Sequence, residues 1–469
     1  MPAGPRSVAE RAALGKELRK RVARSSHGGW EPAAGRPDPV AVLESQDESR
    51  VPELISIHRQ RMLASAFAFF RGGAAIMAGD LAHTPRTGLE VQLCGDAHLS
   101  NFGVFQAPDR SLVFDVNDFD ETLRGPFEWD VKRLAASLSV AGSELGFAEG
   151  ERRSVVIGAV GAYRKAMREF AAMPDLDVWY ARLNAARLRS WAGISVGPRR
   201  RRLERDLEKA KRKNSMRALA RLTRLEDGEP RIVADRPLVV PVEELVAEGR
   251  DIEGVLETLL AAYREALTPD VRHLMAGYRY AHAARKVVGV GSVGTRAWIV
   301  LLLGRDAGDP LFLQAKEAQA SVLEAHLDAG SHENNGRRVV EGQRLMQAAS
   351  DILLGWLSAE GIDGVRRDFY VRQLWDGKGS AEIEAMTLAG LASYGRACGW
   401  TLARAHARTG DRVALASYLG SGTPFDRALA DFAEAYAERN ELDYRAFASP
   451  GGPESADATG ANRLGSQLA

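Results

Sequence analysis

Apolar positions over residues 51–82 recur at mixed three- and four-residue spacing, with Leu54, Ile57, Met62, Phe67 and Phe70 among them, and predict helix. The pattern then changes. LEVQLCGD, NFGVF and SLVFDVND are short runs rich in branched and aromatic residues, which is how strands read. Helical periodicity returns over 127–172 and 176–226; RIVADRPLVVPV reads as a short strand or extended segment, and 251–284 as helix again. A second strand-rich block runs from ARKVVGVG through AWIVLLLG to PLFLQAKEA. The helix RRVVEGQRLMQAASDILLGW and the strand FYVRQLW follow, and helices fill most of 381–445. Two strand-bearing blocks set in a helical majority predict an α+β fold rather than an alternating βαβ series. No internal repeat of solenoid period is present.

The ends differ from this body. Residues 1–50 are polar, Arg-rich and interrupted by Pro, which predicts an arm wrapped over the domain, whereas 447–469 has no periodicity and predicts a disordered tail. Between them the chain divides into a helical lobe over 51–270, a small β lobe over 271–378 and a helical segment over 379–446 that completes the large lobe. Of 469 residues, 45% are hydrophobic and 27% charged, which excludes global disorder. Lys plus Arg total 63 against 62 acidic residues, and a net charge of +1 argues against nucleic acid as partner. Two cysteines, Cys94 and Cys398, exclude a disulfide scaffold and a Cys-rich zinc site. The longest aliphatic run, Trp298 to Leu303, is too short to span a bilayer, and MPAGPRSVAERAALGKELRKR lacks the apolar core of a signal peptide. Both point to a cytoplasmic protein with no membrane partner.

The densest chemistry lies in LCGDAHLSNFGVFQAPDRSLVFDVNDFDETLRGPFEWD. One strand delivers Asp96 and, five residues later, Asn101; a second delivers Asp115, Asp118 and Asp120. Phosphoryl transfer needs a carboxylate beside the attacking hydroxyl and oxygen ligands for the magnesium that neutralises a triphosphate. The Asp-x4-Asn spacing resembles the kinase catalytic loop. It is more similar to the aminoglycoside-phosphotransferase-like kinases, whose loop reads His-Gly-Asp-x-His-x-x-Asn. Gly95, Asp96, His98 and Asn101 match, and Cys94 replaces the first His. The resemblance implies Asp96 as base, Asn101 and Asp118 as metal ligands, and Asp130 as the buried residue that holds the loop. His98 belongs to the same candidate catalytic loop, where it reads as a loop-stabilising hydrogen-bonder; Asp115 is a further candidate metal ligand, and Asp115 and Asp120 otherwise divide between supporting and surface roles. An Asp-rich strand end binding a divalent ion without nucleotide is the other reading of the same residues.

Residues 289–294 read GVGSVG. A dinucleotide site would need a helix at the last glycine; here TRAWIVLLLGRD, a strand and turn, comes next, then the strand PLFLQAKEA. Strand, glycine-rich turn, strand, turn and a lysine-bearing strand resembles the nucleotide lobe of a protein kinase. Gly289, Gly291, Ser292 and Gly294 would let backbone amides approach phosphates, and Lys316 would pair with them. Glu341 is the expected partner of Lys316, with Glu324 in reserve, and Arg372 and Gln373 would lie where the adenine binds. Arg296 departs from the pattern, standing where kinases place an adenine-contacting valine. Because Asp96 precedes Gly289, the expected fold is kinase-like and two-lobed with a circularly permuted lobe order. The expected function is ATP- and Mg2+-dependent phosphoryl transfer to a hydroxyl of a small molecule. Nucleotidyl transfer and a catalytically inactive nucleotide-binding regulatory module are the alternatives.

From Arg199 to Arg224 there are twelve Lys or Arg and three acidic residues. This stretch reads as a solvated helix, an anionic-substrate clamp or a nucleic-acid contact, and it lacks the interleaved aromatics that bases stack on. Taken whole, the chain resembles the bacterial domain of unknown function 2252 family from about Gly15 to about Tyr444. The likeness rests on LRKRVARSSH, RMLASAFAFFRG, GDAHLSNFG, FDVNDFDET, WDVKRLAAS, VGVGSVGTR, LQAKEA, RVVEGQRLMQAASD and FYVRQLWDGKGS. Ala66 departs from it, standing where a proline is expected. The resemblance implies no assigned activity, so function rests on the site residues.

Overall fold

Ser7 opens the first helix, α1 (Val8–Arg21), with a capping box: its hydroxyl accepts from the Glu10 amide while the Glu10 carboxylate accepts from Ser7's own amide. The computed structural model describes residues 7–184, 188, 198–212, 214–245, 252–287, 289–291, 293–327, 332–361, 363–374 and 377–449. The expected tail therefore falls outside the described residues, apart from its first three positions. The expected arm carries two helices, α1 and α2 (Pro39–Asp47), the second capped by Asp38 with Pro39 at its first position. Arg11 pairs with Asp411 at 2.8 Å, and Arg19 donates to the Tyr418 carbonyl, so α1 is stapled to the C-terminal helices.

Residues 51–82 form three short helices, α3 (Pro52–Met62), α4 (Ala66–Gly72) and α5 (Ala74–Ala82). Ala66 takes the first position of α4, where proline is favoured, and Ser65 supplies the cap by accepting from the Ala68 amide. The first strand block gives β1 (Glu90–Leu93), β2 (Phe102–Gln106), β3 (Leu112–Val116) and β4 (Leu123–Pro126), with β1 paired to β4 and β2 to β3, both antiparallel. Two long helices follow, α6 (Phe127–Glu144) and α7 (Glu149–Ala171).

The stretch read as helix over 176–226 is broken up. It holds α8 (Asp175–Tyr180), β5 (Leu183–Asn184), α9 (Pro198–Lys211), α10 (Ser215–Leu222) and β6 (Thr223–Glu226). β6 forms a hairpin with β7 (Glu229–Ile232), and β8 (Val239–Pro241) follows. The helix expected over 251–284 is α11 (Ile252–Glu265) and α12 (Pro269–Met275), after which β9 (Arg279–Lys286) begins earlier than its sequence suggests. β10 (Ala297–Leu303), β11 (Pro310–Ala318), β12 (Gly355–Glu360) and β13 (Arg366–Gln373) complete an antiparallel sheet in the order β12-β13-β11-β10-β9-β8. α13 (Asn335–Met346) joins β11 to β12 and ends ten residues before the helix expected there. Its exit is fixed by Gln347, whose side chain donates to the Val116 carbonyl at 2.7 Å.

β14 (Gly379–Ser380) leaves this sheet and pairs with β2, giving a second sheet β14-β2-β3-β5. The chain closes with α14 (Leu388–Thr409), α15 (Arg412–Leu419) and α16 (Pro424–Ala448). The largest core joins α6, α7, α14 and α16 to β1–β4, with Trp129, Tyr163 and Trp400 buried in it. The six-stranded sheet has one face against α11 and α12 and the other against α10. Helices and antiparallel sheets are thus combined as an α+β fold. Among the described residues no helix is long and apolar enough to cross a membrane.

Candidate functional site

α6 builds the floor of the site because its buried face carries charges as well as apolar residues: Asp130 and Arg133 are both buried within it. Asp130 accepts from the amides of Cys94 and Gly95 at 2.9 and 3.0 Å, and its second neighbour is His406 Nε2 at 3.1 Å. That is the loop-holding position expected for it. Ser137 accepts from the Leu99 amide, and Tyr394 donates to the carbonyls of Leu99 and Phe102. These contacts satisfy buried backbone groups that a turn at this depth would otherwise leave unpaired. Gly95 has φ +83°, and a Cβ there would stand 2.1 Å from the Glu121 carbonyl oxygen, so only glycine fits.

Asp96 follows at once. Arg133 Nε donates to its carboxylate at 2.7 Å, and His98 Nε2 stands 3.5 Å from it. Asn101 donates through Nδ2 to the Asp96 carbonyl at 2.8 Å, which leaves its side-chain oxygen for another group. His98 is almost completely buried, and burial, beside Arg71 and Arg133, brings its imidazole down to about 4 in spite of Asp96 and Asp118. It is therefore neutral, and its Nδ1 is buried without a hydrogen-bond partner among the described residues, so the loop-bonding expected of its side chain is limited to the approach of Nε2 to Asp96.

Asp115 does not serve as expected. Strand alternation turns it into the core, where it pairs with Arg404 and accepts from the amides of Val116 and Ala348. Both oxygens are engaged and the residue is 1% exposed, so Asp115 is a tether between β3, α14 and the segment after α13, not a metal ligand. Asp118 has a different setting. Burial would raise its carboxyl, but Lys316, Arg372 and Lys378 outweigh that and hold it at about 2.

Lys316 is 2% exposed and pairs with Asp120, whose other oxygen accepts from the Tyr370 hydroxyl at 2.7 Å. Asp118, Asp120 and Tyr370 together overcome burial and keep the ammonium charged. Two segments 196 residues apart are thus joined in one buried cluster. Glu341 takes no part in it: α13 turns Arg338, Val339 and Gly342 inward, and Glu341 pairs on the exposed side with Arg337 at 2.7 Å. Glu324 lies 3.7 Å from Arg338 instead. The inward group of α13 is Arg338, which donates to the carbonyls of Asp120, Thr122 and Gln319.

Gln373 is also misplaced by the expectation. In the β11–β13 register Lys316 faces Tyr370 and Gln314 faces Arg372, while Gln373 is opposite Leu313. Alternation therefore sends Gln373 to the face covered by α11 and α12, away from Lys316. Arg372 stays on the lysine face, donating to Gln314 and to the Asn117 carbonyl. Arg296 pairs with Glu317 at 3.2 Å and reaches Asp363 at 3.5 Å.

The glycine-rich turn packs on α3 and α4. Arg50 takes the carbonyls of Gly291 and Val293, and Arg61 takes that of Gly289. Gly294 has φ +93°, and a Cβ there would press on Arg50 at 3.0 Å. Ser292 lies outside the described residues. Arg133, Arg338, Tyr370 and Lys378 are the site residues that sequence reasoning missed. The signal for Arg133 was present, since a charge three residues after Asp130 shares its helix face.

Among the described residues no three His, Cys, Asp or Glu side chains converge as a metal cluster. Magnesium needs less, because it is commonly held by one or two protein oxygens together with phosphate oxygens. Asn101 and Asp118 are the two residues whose side-chain oxygens the sequence expectation assigns to it.

The architecture defines a class first, an α+β protein in which antiparallel sheets are combined with a helical core. Residues 50–449 match the family described as uncharacterized proteins conserved in bacteria, DUF2252, and the chain belongs to that family. No curated protein and no solved structure shows a significant match to it.

Proposed function

We propose that the protein is an ATP- and Mg2+-dependent phosphotransferase acting on a hydroxyl of a small molecule. Its fold would be kinase-like and two-lobed, with the small lobe placed after the catalytic segment. The observation that carries this reading is the buried cluster of Lys316 with Asp118 and Asp120. The succession β9, glycine-rich turn, β10, β11 with Lys316, α13, β12 and β13 supports it, being similar to the kinase nucleotide lobe.

In this reading Asp96 accepts the proton of the acceptor hydroxyl while that oxygen bonds to phosphorus and the bond from phosphorus to the nucleoside-diphosphate oxygen breaks. Lys316, Arg372 and Lys378 hold phosphate oxygens, and Tyr370 keeps Asp120 in place beside Lys316. Magnesium, held by Asn101 and Asp118, would neutralise the triphosphate. Arg133 orients Asp96, and its grip on that carboxylate favours a second reading. In that reading Asp96 stays engaged as the ion-pair partner of Arg133, and the protein binds nucleotide without turning it over.

Thermal unfolding with ATP and magnesium tests both. Nucleotide at ~100 times its dissociation constant should add about 2.7 kcal/mol. Asp118→Asn should weaken the magnesium-dependent part, and Asp96→Ala should remove turnover with little loss of binding. Equal absence of turnover in the native protein and in Asp96→Ala would select the second reading, and no stabilisation by ATP and magnesium would end both.

A further inference from the structure

Beneath the glycine-rich turn lies a buried charged group that phosphoryl transfer as described leaves unused. Asp47 is the last residue of α2, an end where a carboxylate opposes the helix dipole, so its place there depends on nearby cations. Arg59 on α3 takes its Oδ2, from Nε at 3.1 Å and from Nη2 at 2.9 Å. Its Oδ1 stands 3.3 Å from Arg50 Nε and 3.7 Å from His58 Nδ1. Asp47, Arg50 and His58 are all buried. Among the described residues neither that oxygen, nor Arg50 Nε, nor either ring nitrogen of His58 has a hydrogen-bond partner. One acceptor oxygen is thus faced by two side chains and bonded to neither.

Arg50 is also the residue that reaches the turn. Its guanidinium donates to the carbonyls of Gly291 and Val293, and the next amide, that of Val51, donates to the Gly294 carbonyl at 2.8 Å. Burial, with Arg50 and Arg59 beside it, holds the His58 imidazole below its ordinary value in spite of Asp47. Burial also opposes the charge on Arg50, which Asp47 and Glu121 support. The charged groups facing His58 are therefore Asp47 from α2, Arg50 from the α2–α3 link and Arg59 from α3 itself; the turn, 289–294, bears no titratable side chain. A neutral imidazole leaves Oδ1 to Arg50. An imidazolium would attract that oxygen and set a second positive charge against Arg50 in a partly dehydrated site, which loosens Arg50 from the turn.

We propose that Asp47 is a positioning residue for the glycine-rich turn, acting through Arg50, and that His58 competes with Arg50 for the same oxygen, so that protonation of His58 releases the turn. Arg59 keeps Oδ2 in both states, so the exchange takes place at Oδ1 without parting α2 from α3. The positioning stands on these contacts alone. Its consequence, a weaker hold on nucleotide phosphates in acid, rests on the phosphotransferase reading.

The test is amide hydrogen exchange over residues 287–297 of the full chain at about pH 8 and about pH 5, corrected for the intrinsic rate at each. The turn should exchange roughly tenfold faster at the lower pH, as the loss of one charge-assisted hydrogen bond would give. His58→Gln should keep it slow at both, and Asp47→Asn should make it fast at both, with His58→Gln deciding alone if Asp47→Asn fails to fold. Exchange of the turn that does not change with pH would overturn the proposal. So would a response of equal size in His58→Gln, which would assign it to another group such as Glu121. Thermal shifts with ATP and magnesium at the same two pH values report separately on the phosphotransferase reading. Stabilisation that weakens in acid in the native protein and not in His58→Gln carries the effect to the nucleotide. Absence of stabilisation at both pH values would end that reading and leave the exchange result to decide the positioning.

Discussion

The loop that carries Asp96 hangs mainly from short, buried side chains: Asp130 holds the amides of Cys94 and Gly95 and Ser137 the amide of Leu99, while the half-buried Tyr394 holds two carbonyls. The glycine-rich turn is held from the other direction, by the long side chains of Arg50 and Arg61 reaching its carbonyls. Removing a support from the first strands buried backbone donors with no access to water. In the second, Arg61 meets the Gly289 carbonyl at an exposed position where water can replace the lost guanidinium, whereas the Arg50 contact with the Val293 carbonyl is buried. The two turns therefore draw their stability from different supports, and substitutions should separate them.

The largest effect should come from Asp130→Ala. It removes the acceptor of two buried amides and the partner of His406, and should cost about 3–5 kcal/mol in urea unfolding. A loss below ~1 kcal/mol would break the comparison. Next is pH. His98 is neutral in the fold with its imidazole at about 4, so the unfolded chain binds the extra proton between pH ~6.5 and pH ~4. Stability should therefore fall as pH drops through that window, by roughly 3 kcal/mol for this residue, and His98→Gln should flatten the slope. His27, lowered to about 3, has the same sign, while Glu121, raised to about 7 by burial, has the opposite one, so the His98 contribution is read as the difference between the native and His98→Gln slopes. Arg50→Ala should cost less, about 1–2 kcal/mol, and should weaken ATP–magnesium stabilisation more than it weakens the fold. The smallest change, Gly294→Ala, should cost ~1 kcal/mol from the positive φ, measured in the same unfolding assay.

What could be read in advance followed from period and burial. The strands of LEVQLCGD, SLVFDVND and PLFLQAKEA stood out because branched and aromatic residues cluster in short runs between turns. Asp96, Asn101, Asp118 and Asp130 could be singled out because their spacing is a property of single loops and strands, and the expected meeting of Lys316 with this acidic strand end came from the kinase resemblance; the structure pairs Lys316 with Asp120. Direction could not be read. Asp115 and Asp118 lie in the same Asp-rich run, and only the pairing of β3 with β2 decides which one enters the core to meet Arg404. Glu341 and Arg338 share a helix, and the inward side of that helix is set by Thr122 and Gln319, far away in sequence. Gln373 failed for the same reason, since a one-residue step reverses the face of a strand. α13 ended early because Gln347 is drawn off to the Val116 carbonyl, a contact that no local pattern announces.

Gly95 has one more consequence. Its α-carbon abuts the Glu121 carbonyl so closely that the Asp96 loop and the Asp118–Glu121 segment touch peptide to peptide, with no side chain between them. The gap between the two acidic groups is therefore gauged by the backbone, and swapping rotamers or enlarging nearby apolar residues leaves it almost untouched. Lengthening either acid by one methylene cannot be absorbed by sliding one segment past the other, so Asp-to-Glu exchange at position 96 or 118 displaces the carboxylate itself.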